Sequence, residues 1–208
     1  MKFYLSSYKI GDQAERLRGM LTPTKRVLGY IPNALDYEDV DSVKKEHSFQ
    51  DAVIGFQALG IRLELLDLQQ YFAKTEELEK KLEHLGGLWV RGGNVFVLRQ
   101  AMKLSGLDEL LVKLQANNNF VYGGYSAAGC VLSPTLQCYQ IVDDATQLPY
   151  PQQHHVIWEG LGLIGYAFLP HYESNHPESS AIGEEVQYCQ EHQISYKTLR
   201  DGDVIIIE

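Results

Sequence analysis

The sequence has few cysteines, no basic surplus and no long apolar run, and each absence excludes a class of protein. Its 208 residues contain three irregularly spaced cysteines, which does not suit a disulfide-stabilised scaffold and favours a cytoplasmic location. The formal net charge of −9 leaves no cationic excess to neutralise nucleic-acid phosphates. The sequence contains no run of about 18 apolar residues, which is the length that would predict a membrane span. The apolar stretch at the N-terminus is too short for a secretory signal, so we expect none.

Motifs for metals and cofactors are also scarce. The sequence has no C-x-x-C or H-E-x-x-H, and His154-His155 is its one adjacent histidine pair. The Gly92-Gly93-Asn94 turn is too short for a dinucleotide fingerprint or a phosphate-binding loop. We therefore expect no metal and no cofactor. We expect neither a nucleic-acid nor a membrane partner, and both a monomer and a homodimer remain open.

What is present is a globular composition, 45% apolar and 22% charged, in which short strands alternate with helices. The predicted strands are 2–6, 26–31, 61–66, 87–90, 119–122, 164–168 and 204–207. The predicted helices are 12–21, 48–59, 75–85 with Thr75 as a capping residue, a segment ending at 102, 108–115, a short one after Ser126, and 184–192. This alternation predicts one α/β domain, residues 1–208, with a mostly parallel sheet covered on both faces. Ligands of such sheets bind where strands end.

Ser126 is the nucleophile candidate. It follows the strand before Gly123-Gly124-Tyr125 and precedes the small residues Ala127-Ala128-Gly129. A sharp strand-to-helix turn of this kind, a nucleophile elbow, exposes the hydroxyl of its serine, and small neighbours let the turn close. The alternative is a plain serine cap on a buried helix. Cys130 is a rival nucleophile, but one helical turn further on we expect it to be a buried apolar residue.

A serine hydroxyl needs a base, and His171 is the best placed of the seven histidines. It follows Pro170 at the end of a predicted strand, whereas the other histidines lie in polar loops or on helix surfaces. The base needs an acid that holds its tautomer. Asp201 and Asp203 in the turn before the last strand are the candidates, and Asp143, Asp144 and Glu159 remain open.

The Gly92-Gly93-Asn94 turn can also serve an oxyanion. Glycines after a strand, at the start of a helix, let backbone N–H groups approach an anion closely. This turn therefore predicts a donor at Gly93, and the N–H of Ala127 predicts a second donor next to the nucleophile.

Four motifs in order resemble peptidase family S51, the dipeptidase E and cyanophycinase group: Arg91-Gly92-Gly93-Asn94, Gly124-Tyr125-Ser126-Ala127-Ala128-Gly129, Leu169-Pro170-His171-Tyr172 and Leu199-Arg200-Asp201-Gly202. The resemblance covers the chain from Lys2 to Ile207. It implies a class I glutamine-amidotransferase-like, flavodoxin-like three-layer fold. It also implies a serine peptidase acting on small peptides through a Ser126–His171–Asp201 triad, an oxyanion hole at Gly93 and Ala127, and a substrate contact at Asn94.

Three departures from the family pattern keep alternatives open. Ala128 stands where the family usually has glycine, and Glu159-Gly160-Leu161-Gly162-Leu163 replaces a differently composed stretch. No arginine lies between His171 and Arg200, where aspartyl dipeptidases bind the substrate carboxylate, so a preference for N-terminal aspartate is not supported. The alternatives are a catalytically impaired member that acts as a binding or regulatory protein, and a hydrolase of another amide or an ester.

Overall fold

A computed structural model describes residues 1–37 and 42–208, and its centre is a six-stranded sheet. The strands in these residues are β1 (Lys2–Ser6), β2 (Val27–Ile31), β3 (Arg62–Leu65), β4 (Gly87–Val90), β5 (Val121–Tyr125), β6 (Ala167–Leu169), β7 (Tyr196–Thr198) and β8 (Val204–Ile207). The sheet order is β3-β2-β4-β5-β1-β8, and every neighbouring pair is parallel except β1 with β8. The predicted α/β class with a mostly parallel sheet is confirmed.

Helices cover both faces of this sheet. Those of the described residues are α1 (Ala14–Met20), α2 (Ser42–Ala58), α3 (Thr75–Glu83), α4 (Val95–Ser105), α5 (Leu107–Leu114), α6 (Ala127–Cys130) and α7 (Ser179–Glu191). One face packs on α1 and α2 through side chains such as Tyr4, Tyr30 and Trp89. The other face packs on α3 to α6, where Phe3, Leu88 and Tyr122 are buried. None of the helices in these two ranges is long and apolar enough to cross a membrane.

The starts of α2 and α7 and the cap of α3 differ from the prediction. Helix α7 begins at Ser179, five residues before the predicted start at 184. Helix α2 begins six residues before the predicted start at 48, because its first turns are polar and lack the apolar spacing that marks its later turns. Thr75 does not cap α3: Lys74 occupies the cap position, and the Thr75 hydroxyl donates instead to the Ser105 carbonyl, 3.3 Å away.

The alternation of strands and helices predicted that β6 would belong to the central sheet, but it lies outside that sheet. It pairs in parallel with β7, a strand that the sequence did not predict. Strand β6 is short and buried, whereas β7 is largely exposed and polar, so β7 lacks the apolar pattern of a sheet strand. This small sheet carries His171 two residues after its first strand, and it brings that histidine to the edge where β1 and β5 end.

Candidate active site

Ser126 occupies the turn between β5 and α6 in a strained conformation. Its backbone angles are φ 52° and ψ −115°, in a region that non-glycine residues rarely adopt. Such strain costs about 1–3 kcal/mol and persists only where surrounding contacts impose it. The Ser126 N–H donates to the Ser6 carbonyl at the end of β1, at 3.2 Å. The hydroxyl makes no capping hydrogen bond to α6, all of which is described, so the plain-cap alternative loses its support.

Small neighbours make room for this turn. A Cβ at Gly124 would lie 2.5 Å from the Ala128 methyl and would also strike the Val90 carbonyl. The extra methyl of Ala128 therefore fits because Gly124 has no side chain. The departure from glycine at position 128 leaves the turn intact.

His171 faces Asp201 through its ring. The distance from Nδ1 of His171 to Oδ1 of Asp201 is 2.7 Å, so the ring N–H donates to the carboxylate. This bond leaves Nε2 as the acceptor for a hydroxyl proton. His171 is 1% exposed and also has a positive φ, 61°. Its backbone N–H donates to the hydroxyl of Ser7, at 2.9 Å.

Burial sets the protonation of the His171 ring. Removal from water lowers the pKa of His171 below its usual value, which outweighs the hydrogen bond and charge of Asp201 that act in the opposite direction. The ring is therefore neutral at pH 7, as a general base must be.

Only Asp201 of the five acids left open by the sequence contacts the ring. Asp203 is exposed, and its Oδ2 accepts from the N–H of Arg200 at 2.8 Å. Asp144 is at the surface and accepts from Thr146. Glu159 is exposed, and its backbone forms an isolated antiparallel β-bridge with Thr135.

Asp143 has a different position. Its Oδ2 accepts from the N–H of Val95 at the start of α4, at 2.7 Å. Burial raises the pKa of this carboxyl to about 7. It supports the helix that follows the glycine turn and is not bonded to the histidine ring.

The glycine turn after β4 lies against the nucleophile. Gly93 has φ 147°, and a Cβ there would lie 2.5 Å from the Ala34 carbonyl oxygen. A Cβ at Gly92 would lie 3.0 Å from the Cβ of Ser126. Ala127 is the first residue of α6, so its N–H has no carbonyl partner within that helix. The structure thus brings the turn that carries Gly93 next to Ser126, and Ala127 follows Ser126 directly.

Asn94 and Cys130 have structural roles. The Oδ1 of Asn94 accepts from the N–H groups of Phe96 and Val97, and its Nδ2 donates to the Asp144 carbonyl at 2.9 Å. Both polar ends of the side chain are engaged within the protein, but Nδ2 has a second N–H, so the substrate contact of Asn94 stays a prediction. Cys130 donates to the Phe168 carbonyl at 3.3 Å, and burial raises the pKa of its thiol, which does not suit a nucleophile.

Ser126, His171 and the glycine turn face one cavity of about 670 Å³. Its walls carry aromatic side chains from several elements, namely Tyr8, Tyr30, Tyr37, Phe56, Trp89 and Tyr125. Arg91, the residue after β4, and Lys9, in the loop after β1, also line it. The Nε of Arg91 donates to the hydroxyl of Ser48, at 2.7 Å.

The sequence did not point to His176 and Glu178, which line the same cavity. The rings of His171 and His176 are stacked, with centroids 3.7 Å apart and planes 9° from parallel. The Oε2 of Glu178 lies 3.9 Å from Nε2 of His171 and 3.9 Å from Nδ1 of His176. Both residues lie in a polar segment without periodicity, so only the spatial arrangement indicates their importance.

The ligand atoms of His171, His176 and Glu178 lie within 4.8 Å of one another. The stacking directs the in-plane lone pairs of the two rings along parallel planes, whereas a shared tetrahedral ion needs them to converge. This trio is therefore not arranged as a metal site.

Sequence comparisons relate this chain to known peptidases. The profile of peptidase family S51 matches residues 7–208. The chain is 27% identical over 153 residues to an uncharacterised peptidase of Listeria monocytogenes, covering 72% of this chain and 67% of that protein. It is 25% identical over 191 residues to peptidase E of Streptomyces coelicolor, covering 89% of this chain and 70% of that protein.

The fold is also found in a solved structure. A crystal structure of a Listeria monocytogenes protein, provisionally described as a peptidase E, superposes with a TM-score of 0.74 at 22% identity, covering 100% of this chain and 98% of that one. At this identity the likeness concerns the fold alone. The family match extends over nearly the whole chain, and the chain therefore belongs to peptidase family S51, the serine-type peptidases that its motifs resemble.

Proposed function

We propose that residues 1–208 form a single peptidase domain that hydrolyses small peptides through a triad of Ser126, His171 and Asp201. The observation that carries the proposal is the combination of a strained serine turn with a histidine–carboxylate pair at 2.7 Å, both facing one cavity. Strain at a non-glycine residue costs stability, and its position at the cavity wall indicates a catalytic use.

The proposed reaction is acyl transfer to the serine and then to water. Ser126 Oγ attacks the carbonyl carbon of the scissile amide while Nε2 of His171 takes the hydroxyl proton. The imidazolium, stabilised by Asp201 at Nδ1, gives that proton to the departing amine. Water then attacks the acyl-enzyme, His171 takes a proton from it, and the acid product and free Ser126 are released.

The negative oxygen of each tetrahedral intermediate needs donors that are already in place. In the proposal these are the N–H groups of Gly93 and Ala127, at the start of α4 and of α6. Donors fixed by the fold stabilise charge without reorganising, which is why an oxyanion hole contributes a large share of catalysis.

The geometry of Ala128 weighs against a catalytically impaired member of the family. Its methyl fits over Gly124, and the strained serine conformation is retained. A hydrolase of another amide or an ester would use the same three residues, so it differs from the proposal only in its substrate.

Labelling with a fluorophosphonate probe tests the proposed nucleophile. The purified protein should be labelled, and Ser126→Ala, shown to be folded by circular dichroism, should not be. Labelling that survives in Ser126→Ala contradicts the assignment of Ser126. Folded wild-type protein without labelling favours the binding-protein alternative.

A further inference from the structure

Arg91 joins the glycine turn to helix α2. It is the first residue after β4 and directly precedes Gly92-Gly93. Its Nε donates to the hydroxyl of Ser48 on α2, at 2.7 Å, and its Nη1 donates to the carbonyl of Gly92. The rigid fork of a guanidinium holds two acceptors in one fixed geometry, which the point charge of a lysine ammonium does not do.

The acceptor of Arg91 on α2 is itself held in place. The hydroxyl of Ser48 lies 3.1 Å from the hydroxyl of Tyr30, a residue of β2 that is 1% exposed. Three residues earlier on the same helix, Nζ of Lys45 donates to Oδ1 of Asp36, at 2.6 Å. The guanidinium is therefore anchored to the sheet and not to a freely rotating side chain.

The Gly92 carbonyl belongs to the same peptide unit as the Gly93 N–H, which is the proposed oxyanion donor. This unit is rigid, planar and trans, so its carbonyl and its N–H point in opposite directions. Whatever fixes the direction of the carbonyl therefore fixes the direction of the N–H. A cation bonded to the carbonyl also polarises the unit, which makes the N–H a stronger donor.

The glycine turn needs such a restraint because it has no side chains of its own. A Cβ at Gly93 would lie 2.5 Å from the Ala34 carbonyl oxygen, so the close packing of the turn requires glycine there. Glycines on both sides of a peptide unit let it rotate with little steric resistance. A rotated unit would present the Gly92 oxygen in place of the Gly93 N–H and would repel an oxyanion.

We propose that Arg91 is a positioning residue for the oxyanion hole: its bond to the Gly92 carbonyl holds and polarises the peptide unit whose N–H stabilises the oxyanion. The inference rests on the proposed function. Arg91 acts through the backbone and needs no contact with the substrate, and Ser48 fixes the guanidinium from the side of α2.

The rate of fluorophosphonate labelling tests this role without peptide recognition. Phosphonylation of Ser126 develops negative charge on the phosphonyl oxygen, and the probe has no carboxylate that an arginine could bind. In Arg91→Ala the rate constant of phosphonylation should fall about 10- to 100-fold while the affinity for the probe is unchanged. Arg62→Ala, which removes an exposed arginine of β3 outside the cavity lining, is the matched control and should react as the wild type.

Two further measurements distinguish positioning from a general loss of charge or of structure. Arg91→Lys keeps the charge but not the fork, so it should remain at least about tenfold slower than the wild type. Guanidinium ion added at low concentration to Arg91→Ala should restore part of the rate. A slow variant that guanidinium does not restore indicates a deformed turn and contradicts the inference.

Other outcomes overturn the inference or the function on which it rests. Folded Arg91→Ala that is labelled at the wild-type rate overturns it, even where KM for peptides rises, because Arg91 then acts on the substrate alone. Arg91→Lys that matches the wild type also overturns it, since charge would suffice. Absent labelling of the folded wild type removes the proposed function itself.

Discussion

The hydroxyl of Ser7 lies 3.0 Å from Oδ1 of Asp201, the same carboxylate oxygen that faces the His171 ring. Ser7 is fully buried and follows the last residue of β1. It also accepts the backbone N–H of His171, so a single hydroxyl contacts both the base and the acid of the proposed triad. The preceding residue, Ser6, accepts the N–H of Ser126. The end of β1 therefore holds all three residues in place.

Removing this hydroxyl should impair catalysis more than folding. We expect Ser7→Ala to lower kcat about 10-fold with little change in KM, because Asp201 loses a donor and the N–H of His171 loses its acceptor. With less of its charge satisfied, Asp201 should hold the imidazolium more tightly, so the acid limb of the kcat/KM profile should move to higher pH.

Ser6→Ala is the matched control for Ser7. Ser6 is equally buried, but its hydroxyl donates to the Tyr8 carbonyl, and the carbonyl that accepts from Ser126 is retained. It should keep the wild-type pH profile. If the acid limb of the kcat/KM profile does not move in Ser7→Ala, Ser7 has only a structural role, whatever the loss of stability.

The two aspartates of the last turn should respond very differently. Asp201→Asn places an amide against Nδ1 of His171, which favours the wrong tautomer, and we expect a loss of about 10²- to 10⁴-fold in kcat/KM. Asp203→Asn should change it less than about threefold, since an asparagine oxygen can still accept the N–H of Arg200. Steady-state kinetics of both variants on one substrate tests this prediction. If Asp203→Asn loses more activity than Asp201→Asn, the acid of the triad is Asp203.

The strained backbone at Ser126 predicts that a substitution there can raise the free energy of unfolding while it abolishes turnover. Ser126→Gly should abolish turnover, yet it should raise the free energy of unfolding by about 1 kcal/mol, because glycine adopts a positive φ without a Cβ penalty. Urea denaturation measures the change. Ser126→Ala keeps the Cβ and should show no comparable gain, so equal stabilities of the two variants would mean that the turn stores little strain.

The sequence predicts this molecule best where each segment determines its own structure. Strands β1, β4 and β8 agree with prediction to the residue, because each has continuous apolar or β-favouring side chains bounded by turn residues. Ser126, His171 and Asp201 could be proposed because each follows or precedes a readable strand. Strand β7 could not be predicted, since its pairing with β6 compensates for a polar, exposed sequence.

The supporting residues of the site depend on contacts between distant segments. Ser7 is 164 positions from His171 and 194 from Asp201, and no local pattern connects them. His176 and Glu178 lie in a polar loop whose composition predicts only solvation. Their relation to Nε2 of His171 arises from ring stacking, which spacing along the chain does not encode.

The lowered pKa of His171 fixes the sign of two pH effects. In the native state the ring stays neutral to a pH below its ordinary pKa of about 6.5, so kcat/KM should keep its plateau below pH 6.5 and fall only under more acidic conditions. In the unfolded chain the ring binds its proton near pH 6.5. Between the native and unfolded pKa values the unfolded state therefore holds more protons, and the free energy of unfolding should decrease as the pH falls through that window.

Titration of the His171 ring by NMR, with kcat/KM and urea denaturation followed between pH 5 and 8, checks both effects. His171→Gln should remove this ring's share of the stability loss on acidification while abolishing turnover. A native pKa above 6.5 would reverse the argument: activity would already decline near neutrality, and acidification would stabilise the fold through this residue. Such a result would mean that the Asp201 and Glu178 carboxylates outweigh burial at the ring.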